Sequence, residues 1–250
     1  MQHIITLSGS SSRFTKVGLP HKALCQIGGV PAIGHFVKMF PDFDDFETIF
    51  LCRSEDVETT NLSDIIREYA PYAKILSISS NTLGPVYSIM QIKDYIDKNK
   101  GVFVSYIDTL QKLYLRDIMC LCSDFDGGIT YHDFSNPHWR NNKSYCLVSH
   151  SHRLATDIIE KYDFSNFDFN TENCGGSSGG YYFKTGGMML EYFQSLLNSS
   201  YRVNNEAYVT MAMKLMIEDG KSIRCLKYPY ASLGTPEDMS DYSFWNEWFK

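Results

Sequence analysis

Short apolar runs separated by longer stretches of mixed polarity fill the first half of the chain. Residues 3 to 8 (HIITLS), 48 to 52 (TIFLC), 74 to 78 (KILSI) and 102 to 107 (VFVSYI) are continuous rather than alternating, as in parallel strands covered on both faces. The segments between them have helical length. Residues 31 to 40 open with Pro31, residues 55 to 69 end before Pro71, and residues 85 to 98 space Ile89, Ile92 and Ile96 by three and four. This β-α-β-α-β-α-β order predicts an α/β fold on a doubly wound, mostly parallel sheet, with a ligand beyond the carboxyl ends of the strands.

The second half changes pattern. Residues 127 to 133 (GGITYHD), 144 to 150 (SYCLVSH) and 179 to 184 (GGYYFK) read as strands joined by loops rich in Asn, Ser and Gly, which predicts an antiparallel insertion. Helices are expected at about 186 to 197 and 206 to 218, where Val209, Ala212, Met213 and Met216 form a core-facing stripe. No repeat, charge block or linker divides the chain. One domain over 1–250 is expected, the second half building onto the sheet of the first.

Composition narrows the function. The 250 residues are 44% hydrophobic, enough for an ordinary globular core, and the formal charge of -6 argues against a nucleic-acid partner. Any phosphate chemistry must then use a few local cations. No apolar run reaches the roughly 20 residues that span a bilayer, and the N-terminal MQHIITLSGSSSRF lacks a secretion signal, so no membrane partner and a cytoplasmic location are expected. Seven scattered cysteines suggest reduced thiols, and Cys120 and Cys122 do not have zinc-site spacing. His150 and His152 share a face only if their strand continues, and no third ligand accompanies them. His132 and His138, flanking Pro137 and Trp139, are candidates for a pocket lining by position alone. The 17 Tyr and 16 Phe suggest a ring-lined pocket.

Four stretches carry candidate chemistry. Leu7, Ser8, Gly9, Ser10, Ser11, Ser12 and Arg13 form a small-residue loop after the first strand, able to cup an anion with backbone N–H groups and the Arg13 fork; an ordinary surface turn has the same composition. Gly84 and Pro85 form a turn into a helix. Asp108 ends a buried strand, where a hard carboxylate can hold Mg2+, although a helix cap or turn uses the same residue. Glu160 and Lys161 end another strand or make a solvated surface pair, and residues 174 to 180 (CGGSSGG) read as a flexible loop.

Taken in order, these residues resemble the nucleotidyltransferases that activate sugar 1-phosphates. That family reads small-residue loop, Arg-Phe, Pro-Lys-x-Leu, then Gly-x-Pro, and Arg13, Lys22, Gly29 and Pro31 fall at the matching places. Further matches are Leu83-Gly84-Pro85, Asp108, Glu160-Lys161, Gly180-Tyr181 in a glycine-aromatic strand, Glu206 in a Glu-x-Tyr segment, and the Gly-Thr-Pro-Glu-Asp run at 234 to 238. The resemblance spans nearly the whole chain. It departs at Ser11, where the family has glycine, at His21, where it has proline, and at Ser232, where many members have a second metal-binding aspartate.

The resemblance implies a Rossmann-like, GT-A-like nucleotidyltransferase fold, with residues 1–125 holding the nucleotide and 126–250 the acceptor. It implies transfer of a nucleotidyl group from a nucleoside triphosphate to a small phosphorylated acceptor, with release of pyrophosphate. Arg13 and Lys22 would grip the triphosphate with the loop from Leu7 to Ser12, Gly84 and Pro85. Asp108 would bind Mg2+, helped by phosphates and water or by another carboxylate such as Glu206. Lys161 would hold the acceptor phosphate, with Glu160, Gly180, Tyr181 and Glu206 around it. The closest subgroup serves capsule and surface-polysaccharide synthesis and includes cytidylyltransferase-like members, which favours CTP over UTP and dTTP. A GT-A-type glycosyltransferase and a non-catalytic nucleotide-binding protein are the alternatives. A homo-oligomer is left open by the aromatics between Tyr242 and Phe249.

Overall fold

Alternate residues of the first strands enter two separate cores: Ile4, Ile49, Leu51 and Val104 face one, Ile5, Phe50, Cys52 and Phe103 the other. With both faces of the pleat covered, the apolar runs have no reason to alternate with polar residues. A computed structural model describes residues 1–133, 145–169 and 171–248. In chain order, the first half holds β1 (Gln2–Leu7), α1 (Ser12–Thr15), β2 (Gln26–Ile27), β3 (Val30–Pro31), α2 (Ala32–Val37), β4 (Glu47–Arg53), α3 (Ser54–Thr59), α4 (Leu62–Tyr69), β5 (Lys74–Ile78), α5 (Pro85–Met90), β6 (Val102–Tyr106), β7 (Thr109–Leu110) and α6 (Leu115–Leu121). The second holds β8 (Gly127–His132), β9 (Leu147–Ser151), β10 (Leu154–Ile159), β11 (Cys174–Phe183), α7 (Gly186–Asn198), α8 (Val209–Glu218), β12 (Ile223–Lys227), β13 (Ala231–Ser232) and α9 (Pro236–Trp248).

Nine described strands form one mixed sheet in the order β5-β4-β1-β6-β11-β8-β12-β10-β9. The first four run parallel, as expected. β11 joins the halves by pairing antiparallel with both β6 and β8. The second half is thus a continuation of the first sheet. Apolar residues of α5, α7 and α8, among them Ile89, Phe193 and Met213, fill one core; those of α2, α4 and α6, among them Phe36, Ile66 and Ile118, fill the other. The methionine stripe is core: Met213 and Met216 are fully buried.

Several expectations change in detail. The helix expected over 55 to 69 breaks at Thr60, whose hydroxyl accepts from the Leu62 N–H at 3.2 Å and so competes with the helical ladder. The helix expected over 85 to 98 stops at Met90, and a short 3-10 turn, Lys93–Tyr95, follows. The stretch 174 to 180, read as a loop, is the first part of β11 and is buried from Gly175 onward. Glycine lets this strand lie close to its neighbours: a Cβ on Gly180 would sit 2.6 Å from Thr130 Oγ1 and 2.8 Å from the Phe103 ring. β12, unmarked in the sequence pattern, pairs parallel with β8. His150 and His152 do not share a strand face, because β9 ends at Ser151 and His152 enters the turn with a φ of 49°.

A small antiparallel pair completes the scaffold that matters for function. β7 and β13 align Thr109 with Ser232 and Leu110 with Ala231, and the Leu233 N–H donates to the Asp108 carbonyl at 2.8 Å. The segment after Asp108 is thereby tied to the run at 233 to 238. In α9, Tyr242 rests edge-on against His35, whereas Phe244 and Trp248 are 53% and 71% exposed. Phe249 lies outside the described residues, as do Pro137, His138 and Trp139. Among the described residues, no helix is long and apolar enough to cross a membrane.

Candidate functional site

The loop after β1 turns sharply because Ser11 takes a left-handed conformation, φ 50° and ψ 24°. Glycine adopts that geometry without strain, so the departure from the family pattern falls at a position where backbone shape is the requirement. Serine is accommodated here partly through its hydroxyl, which accepts from the Lys22 N–H at 3.3 Å. Lys22 then directs its ammonium toward the loop: a Cβ on Gly9 would lie 3.9 Å from Nζ. The same Nζ donates to Asp108 Oδ2 at 2.7 Å. Arg13 reaches across from α1 to the Gly234 carbonyl at 3.4 Å.

Asp108 follows β6 and is partly buried at the ligand edge of the sheet. Burial disfavours its charge, but the Lys22 ammonium, its hydrogen bond and the more distant Arg13 outweigh that cost and hold the carboxyl below its ordinary range. Beside Lys22, His21 is driven down to about 4 by burial, Lys22 and Arg53, and its neutral Nδ1 accepts from the Ala23 N–H at 3.2 Å. It helps shape the turn carrying Lys22.

The opposite wall is built by β10, α8 and the segment before α8. Glu160, just past the end of β10, is half-buried; burial raises its carboxyl above the ordinary range, against the opposing pull of Thr210, Lys161 and Cys146. Thr210 Oγ1 donates to Glu160 Oε2 at 2.5 Å. The Cys146 thiol is pushed well up by burial and by Glu160, so it is a neutral donor and not a thiolate nucleophile. Lys161 has a φ of 54° and carries its ammonium 5.3 Å from the centre of the Tyr208 ring. The Tyr208 hydroxyl is raised by burial and by its bond to Glu206. Tyr106 and Tyr181 meet edge-on at 5.4 Å farther in, and Tyr181 shares a 3.0 Å hydrogen bond with Ser177.

These walls enclose a cleft of about 630 Å³. Arg13, Lys22, Asp108 and Lys161 all line it, as do Ser8 to Ser12, Gly84, Pro85, Glu160, Tyr181 and Glu206. Two expected residues do not. Leu7 is fully buried in the core, because it is the last residue of a strand covered on both sides. Gly180 is closed off by Thr130, whose hydroxyl accepts from its N–H at 3.0 Å. Of the histidine candidates, His132 does not line the cleft but stacks at 4.4 Å on Tyr230, which does. Tyr208 and Asp238 fell inside matched segments without a role assigned to them, whereas Tyr106, Tyr230 and Thr210 were not singled out; the tyrosine count was the only signal toward the two tyrosines, and none pointed to Thr210.

The donor set suits a hard divalent ion that arrives with phosphate. Among the described residues there is no group of three or more His, Cys, Asp or Glu able to hold a metal alone. Asp108 is an ionised oxygen donor, and Mg2+ commonly takes one or two carboxylates with phosphate and water completing its shell. The carboxylate beside Ser232 is Asp238, whose Oδ2 accepts from the Ser232 hydroxyl at 2.8 Å. Glu206 lies on the opposite wall with Tyr208. Chemically, one end of the cleft offers cations and N–H groups to a polyanion, and the other offers one ammonium among carboxyls and tyrosines.

No protein-family model matches the chain, and no curated protein matches its sequence. Solved structures do share its fold. The nucleoside-diphosphate-sugar pyrophosphorylase of Vibrio cholerae RC9 superposes with a TM-score of 0.78 at 18% identity, over 98% of this chain and 100% of that one. A UDP-glucose pyrophosphorylase complexed with UDP-glucose gives 0.76 at 15% identity, over 100% and 99%. The inositol-1-phosphate CTP transferase of T. maritima gives 0.69 at 13% identity, over 97% and 93%. At these identities the likeness is one of fold.

Proposed function

We propose that the protein is a nucleotidyltransferase: a phosphate monoester oxygen of a small acceptor attacks the α-phosphorus of a nucleoside triphosphate, and the bond from that phosphorus to the bridging oxygen breaks to release pyrophosphate. The observation carrying this reading is the meeting of Arg13, Lys22, Asp108 and Lys161 in one cleft, although they come from three well-separated stretches of chain. The nucleophile arrives already anionic, so no catalytic base is required. The work is to hold two anions in line and to offset charge on the leaving group.

Arg13, Lys22 and the N–H groups of residues 8 to 12 would grip the triphosphate, with residues 84 and 85 beside the base and ribose. Lys161 would neutralise the acceptor phosphate, and Glu160, Tyr181 and Glu206 would accept from or donate to the acceptor body. Asp108 would hold Mg2+ together with phosphate oxygens, and the bound ion would supply charge neutralisation at the pyrophosphate. In this division residues 1–125 serve the nucleotide and 126–250 the acceptor. We favour CTP, a sugar phosphate or related phosphorylated acceptor, a cytoplasmic setting where triphosphates are available, and a role in capsule or surface-polysaccharide precursor synthesis.

The test is a pyrophosphate-release screen of four nucleoside triphosphates against phosphorylated sugars, polyols and amines. Release that requires both a triphosphate and an acceptor is expected. Sugar transfer from a ready-made nucleotide sugar, without pyrophosphate release, would replace this reading with that of a glycosyltransferase.

A further inference from the structure

The base-side turn and the acceptor-side wall are hydrogen-bonded to one another through Ala207. Val203 and Glu206 form an isolated antiparallel bridge, with the Glu206 N–H donating to the Val203 carbonyl at 2.9 Å and the Val203 N–H returning to Glu206 at 3.1 Å. The two residues between them, Asn204 and Asn205, have φ values of 51° and 64°. Paired positive φ values are what the tightest hairpin turn requires, and Asn tolerates them better than other side-chain-bearing residues. The next residue, Ala207, is clasped by residues 83 to 86: its N–H donates to the Leu83 carbonyl at 2.8 Å and its carbonyl accepts from the Val86 N–H at 3.1 Å. Gly84, at φ 94°, makes the clasp fit, since a Cβ there would lie 2.7 Å from both the N and the O of Ala207.

Several of the acceptor-side groups, Tyr181 on β11 excepted, lie on or bond to this short run. Glu206 precedes Ala207; Tyr208 follows it, bonds Glu206 and lies under Lys161; Thr210, two residues farther, bonds Glu160. We infer that the Asn204-Asn205 turn and the clasp between Gly84 and Ala207 are positioning elements for the acceptor, setting where Glu206, Tyr208, Lys161 and Glu160 stand. The inference rests on the proposed function for the meaning of "acceptor". Asn204 and Asn205 are exposed and do not line the cleft, so they act only through the residues they position.

The experiment compares wild type with Asn204→Ala/Asn205→Ala and Asn204→Gly/Asn205→Gly in steady-state kinetics, with thermal unfolding as a check on folding. Glycine accepts positive φ freely and alanine does not. The alanine pair is expected to raise the acceptor KM about tenfold or more while the nucleotide KM moves less than twofold, and the glycine pair to retain wild-type values. Single Asn204→Ala and Asn205→Ala variants carry the same comparison if the double variant unfolds. Equal rises in both KM values, or no difference between alanine and glycine, would overturn the inference. A wild-type protein with no pyrophosphate release against any acceptor would defeat the proposed function instead. Hydrogen exchange then reads the turn directly: the Val203 and Glu206 amides should lose protection together in the alanine pair, and unchanged protection would again overturn the positioning role.

Discussion

Glu160 and Asp108 line the same cleft under opposite electrostatic settings. Burial raises Glu160 despite Thr210, Lys161 and Cys146, whereas Lys22 overcomes the burial of Asp108 and lowers it. As pH falls, the acid with the raised pKa takes its proton first. Acidification is therefore expected to neutralise Glu160 before Asp108, so kcat/KM for the acceptor declines at higher pH than nucleotide affinity does. Separate pH profiles measure this; a single shared acid limb would contradict it. Lys161→Ala is expected to lower kcat/KM for the acceptor about 100-fold and to leave nucleotide affinity unchanged by calorimetry. The place of Asp108 in the cleft was legible in the sequence because it follows a buried parallel strand at its carboxyl end. Tyr230 in the cleft and Thr210 behind Glu160 were not, because their places depend on how distant elements dock, which no local pattern encodes.

Among the elements, β11 departs most from its sequence signal. A run such as CGGSSGG is low in apolar side chains and high in backbone freedom, which reads locally as a loop. Its ladder partners come from β6, β8 and β9, all distant in sequence, and they are what make it a strand. Glycine is required there by close packing against Thr130 and Phe103. Gly180→Ala is expected to cost about 1–3 kcal/mol in urea unfolding, because neither neighbour can withdraw without loss of core contact. An unchanged midpoint would contradict that packing. The parallel strands β1, β4 and β6 were legible because each is covered on both faces, and the half-exposed edge strand β5 by its short apolar run, whereas the helices between them were readable in place but not in length. Thr60 illustrates the reason: a local side-chain bond ended a helix that periodicity alone would continue.

At the scale of the whole molecule, three buried histidines, His3, His21 and His132, tie the scaffold to pH. His3 is held down to about 3 by burial among Phe40, Phe43 and Phe103, and His21 to about 4 by burial, Lys22 and Arg53. In the unfolded chain each titrates near 6.5. Since the folded values are lower, the unfolded state binds protons first, and stability present above that value is lost as pH falls toward 4. Each histidine contributes a slope of about 1.4 kcal/mol per pH unit in that window. With His132 also held to about 3 by burial, urea unfolding at pH 7.5 and 5.5 should differ by about 4 kcal/mol from these three groups, and equal stabilities would contradict their buried, neutral state. The continuous sheet lets the parallel strands present Arg13, Lys22 and Asp108 while the second half presents Glu160 and Lys161 across the same cleft. The most direct test of the proposed chemistry follows the α-phosphorus. Incubation of wild type with a phosphorylated acceptor and a triphosphate labelled at that atom should move the label into a nucleoside-diphosphate-linked product, with one unlabelled pyrophosphate released per product, and Asp108→Asn should lose this transfer while remaining folded. Label confined to the triphosphate or its hydrolysis products across the whole acceptor panel would contradict the proposed function.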